Sequence, residues 1–168
     1  MSDYNPYAPP KAEVRDAPGR RDSGDLASRG LRLVGSIVDA VISLLVTVPL
    51  GIFTGYWQDA FAGKVDYIEA YTISFVGLVA FVVMHGYLLA KHGQTIGKRL
   101  VGTRIVNAND EQLPGLGKLL GLRYGVVALV SLIPTVGSFF GLIDVVFIFR
   151  ADRRCLHDLI AGTKVINA

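Results

Sequence analysis

Four ionisable side chains stand inside otherwise apolar stretches of the sequence: Asp39, His85, Arg123 and Asp144. A charge at the centre of a membrane helix costs ~2.5–3.5 kcal/mol on insertion scales, so each of these groups needs a partner or a use. Two carboxylates, an imidazole and a guanidinium form a set that could hold an exchangeable proton or a monovalent cation. In that chemistry Asp39 would alternate between proton and cation, and His85 would tune it near neutral pH. The same set could instead be a charge-balanced polar network that fixes helix register and carries nothing.

The offsets of these groups from basic or polar boundaries make the set coherent. Asp39 lies seven residues past Arg32, His85 five before Ala90, Arg123 five past Lys118, and Asp144 six before Arg150. At 1.5 Å per residue, all four fall roughly 7–11 Å from one surface of a bilayer. Arg123 with Asp144 is the expected ion pair, since their helices are joined by a short turn. Asp39 is then left to Arg32, to His85 or to a bound cation. Arg32 and Asp39, seven apart, share one helix face.

The elements that must hold these groups are apolar runs. Of the 168 residues, 51% are hydrophobic and only 18% charged, against about 25% charged in ordinary soluble domains. Leu31–Phe53 and Tyr71–Ala90 are each long enough to cross ~30 Å of hydrocarbon. Tyr56 and Trp57 follow the first run as interfacial aromatics do. The last apolar region, Leu119–Phe149, is interrupted around Pro134. It predicts two short crossing helices joined by a tight turn, or a re-entrant hairpin. Gly35 and Ser36, the series Gly117, Gly121 and Gly125, and the pair Gly137 and Gly141 are expected to let helix backbones approach closely.

Lysine and arginine set the orientation. Six lie before residue 33, five between 91 and 118, and four after 149, whereas 57–70 holds only Lys64. The positive-inside rule puts that loop outside and both termini in the cytoplasm. The net charge of +3 therefore reads as lipid-facing, with no nucleic acid as partner. Residues 1–26, rich in proline and mixed charge, are expected to be a disordered cytoplasmic tail, with 27–168 forming the membrane domain. No cleavable signal peptide is expected in the polar, proline-rich opening stretch.

One internal repeat stands out. Gly102-Thr-Arg-Ile-Val-Asn-Ala108 recurs as Gly162-Thr-Lys-Val-Ile-Asn-Ala168. Both strings are β-prone, and they are expected to pair as a small cytoplasmic ribbon. Between helix two and the first string, Gly93-Gln-Thr-Ile-Gly-Lys98 lacks the spacing of a phosphate-binding loop. It is expected to be a turn, Gly93 and Gly97 flanking Thr95, with Lys98 and Arg99 toward lipid headgroups. His157-Asp158 has no nucleophile at recognisable spacing, so no enzyme is expected. Arg153, Arg154 and Asp158 are expected to form an interfacial salt-bridge cluster. Cys155 is the only cysteine, which excludes an intrachain disulfide. No zinc spacing accompanies it, so no metal or cofactor is expected.

Three strings together resemble the RDD family of bacterial membrane proteins, named for one arginine and two aspartates. They are Ala27-Ser-Arg-Gly-Leu-Arg-Leu-Val-Gly-Ser-Ile-Val-Asp39, Gly93-Gln-Thr-Ile-Gly-Lys-Arg-Leu-Val-Gly-Thr-Arg-Ile-Val106 and Arg154-Cys-Leu-His-Asp-Leu-Ile-Ala-Gly-Thr-Lys-Val165. The resemblance implies that the family arginine is Arg32 or Arg29, its first aspartate Asp39, and its second Asp158 or Asp144. Gly93, Thr95, Gly97, Lys98, His157, Gly162 and Thr163 are the other motif positions. It also implies transport of some ligand, with sodium/proton exchange attributed to some relatives.

The expected molecule is an all-α membrane protein of four transmembrane helices, or two plus a helical hairpin, with a small β-ribbon. In the bacterial inner membrane it would be a small transporter or cation/proton exchanger. Four short helices are too few to enclose a path, so a homo-oligomer is expected. The alternative is a scaffold or accessory module that binds a protein partner through its ribbon and basic loops.

Overall fold

The computed structural model describes residues 25–64, 66–133 and 136–168, without the side chain of Ser138. The tail before Asp25, the turn at Pro134 and the exposure of Thr135 lie outside the described residues.

Two helices of 26 residues dominate: α1 (Arg29–Thr54) and α3 (Tyr67–His92). Ser28 caps α1 by accepting from the Leu31 N–H, and Gly55 ends it in the left-handed region at φ 86°. Asp66 caps α3 through the Ile68 N–H. With Glu69 in its first turn, α3 begins four residues before the apolar run, because carboxylates suit a helix N-terminus. The short α2 (Tyr56–Phe61) fills the loop between them. Only 6% of the apolar window of α1 and 11% of that of α3 is buried. The core helix of a soluble protein would hide such a surface, so length, composition and exposure together fit a membrane protein.

After α3 the chain turns at Gly93 into α4 (Ile96–Leu100), and then into β1 (Thr103–Asn107). The last apolar region rises as a π-helical segment, Lys118–Gly125, continued by α5 (Val126–Ser131). It returns as α6 (Val136–Val146) with a 3₁₀ turn at Phe147–Phe149. Among the described residues only α1 and α3 have the length and apolarity to cross a membrane alone. The chain closes with α7 (Leu156–Ile160) and β2 (Thr163–Asn167).

The two repeated strings do pair. β1 and β2 run antiparallel, with Thr103 opposite Asn167 and Ile105 opposite Val165. Leu26 adds a bridge to Ile166, the Ala27 N–H donates to the Val165 carbonyl, and the Asn167 N–H donates to that of Asp25. Asp25 and Leu26 thus belong to the ribbon and not to a free tail. The buried core is Ala27, Leu89, Ile105, Leu119 and Val165. It sits where the ribbon meets the helix ends, not between the long helices. Lys118 reaches Asn107 at 2.8 Å and Lys164 reaches Glu111 at 2.5 Å, fastening that junction.

The glycine series behaves differently from its expected role. A Cβ at Gly117, Gly121 or Gly141 would meet nothing within 4 Å, so these are not helix contacts. Gly137 does pack on the Ser131 backbone, and Gly35 faces Gly97. The closest crossing is at Gly97, whose Cβ would lie 2.1 Å from the Gly35 carbonyl oxygen. There α4 lies directly on α1.

Candidate functional site

The site is built around a carboxylate that no membrane helix carries. Asp158 belongs to α7, a five-residue helix, and is fully buried. Its Oδ2 accepts from the Cys155 N–H at 3.2 Å, a capping contact, and from Arg32 Nη2 at 2.5 Å. Its Oδ1 accepts from Arg123 Nη1 and from the Thr163 hydroxyl at 3.3 Å. Arg123 also donates to Thr163 Oγ1 at 2.6 Å. Burial alone would raise the carboxyl's pKa. Arg123, His157 and Arg32 overcome that and hold it well below the ordinary carboxylate range. Two arginines and one aspartate therefore tie α1, the π-helical segment, α7 and β2 together.

The neighbouring residues complete this knot. Arg32 Nη1 donates to the Arg153 carbonyl. Arg153 itself sits at φ 50°, an unusual conformation for a side chain of its size, and donates to the Leu26 carbonyl at 3.1 Å. Arg154 donates to the carbonyls of Thr163 at 2.9 Å and Asp158 at 3.2 Å. Both are spent on backbone, so the expected cluster of Arg153 and Arg154 with the Asp158 carboxylate is corrected. Arg29 donates to the carbonyls of Ile148, Phe149 and Arg150, at 3.1, 3.4 and 3.4 Å. It supplies the donors that the end of a helix lacks.

Asp39 is held elsewhere, by the turn after α3. Its Oδ2 accepts from the Thr95 hydroxyl at 2.5 Å and its Oδ1 from the Gly97 N–H at 2.7 Å. Lys98 Nζ lies 3.8 Å from Oδ2, with its side chain only 12% exposed. Lys98 is thus turned inward and not toward headgroups, while Arg99 remains exposed. Gly97 has to be glycine-sized for α4 to come this near. Gly93 ends α3 at φ 65° and Thr95 caps α4, as a turn at that place required. His85 is fully buried beneath the same turn. Its Nδ1 accepts from the Ile96 N–H at 3.2 Å, and its ring packs on Phe81 at 4.7 Å.

Asp144 completes the arrangement. It accepts from the His157 backbone N–H at 2.8 Å and lies 2.7 and 2.9 Å from His157 Nδ1. Burial and the nearby Arg123 guanidinium push the His157 pKa down, toward the neutral ring. Burial raises the Cys155 thiol to about 11. Arg32 Nη2 reaches that sulfur at 3.3 Å.

Arg32, Asp39, Arg123 and Asp144 all line one cavity of about 200 Å³, together with Lys98, Cys155 and His157. A more apolar cavity of about 310 Å³, walled by Leu78, Phe81, Val127 and Ala128, shares Arg123, Tyr124, Asp144 and His157. Three of the four expected groups, Asp39, Arg123 and Asp144, line this one cavity, but the pairing differs. Arg123 is paired with Asp158 and not with Asp144, Arg32 with Asp158 and not with Asp39. His85 stands apart, since it does not line the cavity. The reason is α7. It lifts Asp158 off the surface into the bundle, where one carboxylate with two oxygens can serve two guanidinium groups. The grouping of Asp144, Cys155 and His157 was not anticipated. Cys155 caps α7 and His157 lies within it, whereas Asp144 comes from α6, and no metal-binding spacing joins the three.

The RDD family model matches residues 26–162, from the ribbon's bridging Leu26 through the Asp158 knot. An uncharacterized protein of Haemophilus influenzae is 30% identical over 142 residues, covering 84% of this chain and 78% of its own length. The uncharacterized protein YckC of Bacillus subtilis is 37% identical over 143 residues, 82% of each chain. No solved structure matches. A family match spanning both arginines and all three aspartates of the site identifies the chain as a member of the RDD family.

Proposed function

We propose that this chain is a multi-pass protein of the bacterial inner membrane that exchanges a monovalent cation for protons at Asp39. In this reading α1, α3 and the two halves of 118–149 all cross, both termini are cytoplasmic, and copies assemble to enclose a path. The observation that carries it is the environment of Asp39. Of the two acids lining the 200 Å³ cavity, Asp144 is engaged by His157, whereas Asp39 is held by neutral donors with Lys98 at 3.8 Å. The Asp39 oxygens meet a hydroxyl, an amide and Lys98 and no guanidinium, which leaves them open to a competing cation.

The test is flux. The purified chain in proteoliposomes should dissipate an imposed pH gradient when Na⁺ or K⁺ is added, and Asp39→Asn should not. Absence of flux from the wild-type protein would end this reading.

A second reading, a non-transporting module that binds a protein partner, draws on the Arg32–Asp158–Arg123 knot. Its charges are consumed in joining elements, which a scaffold needs and a pathway does not. Asp39→Asn would then lower abundance, and partner capture would depend on residues 98–110 or 150–168.

A further inference from the structure

Asp144, Cys155 and His157 offer a carboxylate oxygen, a thiol sulfur and an imidazole nitrogen, all within 4.8 Å of one another. All three residues line the cavity of about 200 Å³, which leaves room for water or a small ligand at a fourth position. His157 has a carboxylate near each ring nitrogen. Its Nδ1 lies 2.7 and 2.9 Å from the two oxygens of Asp144, and its Nε2 lies 3.8 Å from Oδ1 of the buried Asp158. A carboxylate behind the second ring nitrogen is the usual support of a metal-ligating histidine. With the proton on Nε2, the Nδ1 lone pair faces the Asp144 oxygens directly. A metal ion between them relieves that repulsion, as does moving the ring proton to Nδ1, where it donates to Asp144.

We propose that Asp144, Cys155 and His157 bind a transition-metal dication, with Zn²⁺ as the type ion and the fourth position open to the cavity. Thiolate and imidazole donors select Zn²⁺ and its neighbours over Na⁺, Mg²⁺ and Ca²⁺. Three protein ligands with an open position make an exchangeable centre, not a closed structural one. The charge balance permits it. Arg32 and Arg123 are matched by Asp158 and Asp144, and Cys155 releases its thiol proton to solvent as the sulfur coordinates. A dication therefore adds one net charge to the cavity. Arg32, 3.3 Å from the sulfur, then donates to a coordinated thiolate. The site does not depend on exchange at Asp39, which sits on α1 and supplies none of these ligands.

The experiment uses the full chain, purified in detergent without a histidine tag, and titrated with Co²⁺ and then Zn²⁺. About one Co²⁺ per chain should bind with a thiolate-to-cobalt charge-transfer band that Zn²⁺ abolishes. Cys155→Ser should remove the band. His157→Gln and Asp144→Asn should weaken binding by about tenfold or more, since even supporting residues of metal sites cost 10–100-fold. Asp39→Asn should bind Co²⁺ as the wild type does, whatever becomes of flux. A second measurement needs no variant: Zn²⁺ should slow alkylation of Cys155 in the wild-type chain. A folded wild-type chain that binds no Co²⁺, or binding unchanged in Cys155→Ser, would overturn the proposal.

Discussion

Arg123 and Asp158, 35 positions apart in the chain, form a hydrogen-bonded ion pair in which the guanidinium is 2% exposed and the carboxylate 0%. Arg32 joins the same carboxylate from α1. Desolvating three charges is costly, and only close geometry with every oxygen engaged offsets it. Asp158 meets that condition through two arginines, the Thr163 hydroxyl and the Cys155 amide.

Removing the shared carboxylate should therefore be the most damaging single change. Asp158→Ala leaves two arginines buried without a counter-ion, a loss of ~3–5 kcal/mol for a broken buried pair. Thermal unfolding in detergent should show it as a large drop in Tm. A variant that melts within a degree or two of the wild type would contradict the knot.

Acid should act through the same group. Its folded-state pKa lies below the ordinary carboxyl value of 3.8, so the unfolded chain takes up the proton first as pH falls. The stabilisation is then complete above that ordinary value and declines below it, by at most ~1.4 kcal/mol per pH unit for this one proton. Unfolding of the metal-free chain across the acid range should show the decline in the wild type, and a shallower one in Asp158→Asn. Parallel curves for the two would argue against the pair.

The crossing of α4 on α1 makes a steric prediction. Gly97→Ala places a methyl group 2.1 Å from the Gly35 carbonyl oxygen and 2.8 Å from Asp39 Oδ1. The backbone has to move, at a cost of ~1–3 kcal/mol, and Asp39 loses its amide partner. Gly115→Ala, where nothing lies within 4 Å, is the matched control and should leave Tm unchanged. Equal melting of the two variants would place α4 elsewhere.

Thr95 serves two partners at once, accepting from the Lys98 N–H at 3.3 Å and donating to Asp39 at 2.5 Å. Thr95→Ala should cost ~0.5–2 kcal/mol as a lost helix cap. Thr95→Ser should restore both contacts and most of that stability. Serine performing no better than alanine would mean that the hydroxyl is idle.

Much of this architecture was legible in the sequence, and the parts that were not share one cause. The apolar runs announced α1 and α3, and the repeated Gly-Thr strings announced the ribbon, because each signal is local and periodic. Counting residues along helices also grouped Asp39, Arg123 and Asp144, which line one cavity. Their partners did not. α7 is only five residues long, too short for a periodic signal, yet it carries Asp158 into the bundle and redirects both arginines. Leu26 looked like tail because its bridge to Ile166 joins residues 140 positions apart.

That long-range closure bears on biosynthesis. Both arginines are synthesised well before Asp158 and β2, so for a time the half-made chain holds them without the carboxylate that pairs both in the finished fold. Membrane insertion and final locking are thereby separate events. A product stalled between Phe149 and Asp158 would carry an exposed defect that quality-control proteases are suited to detect.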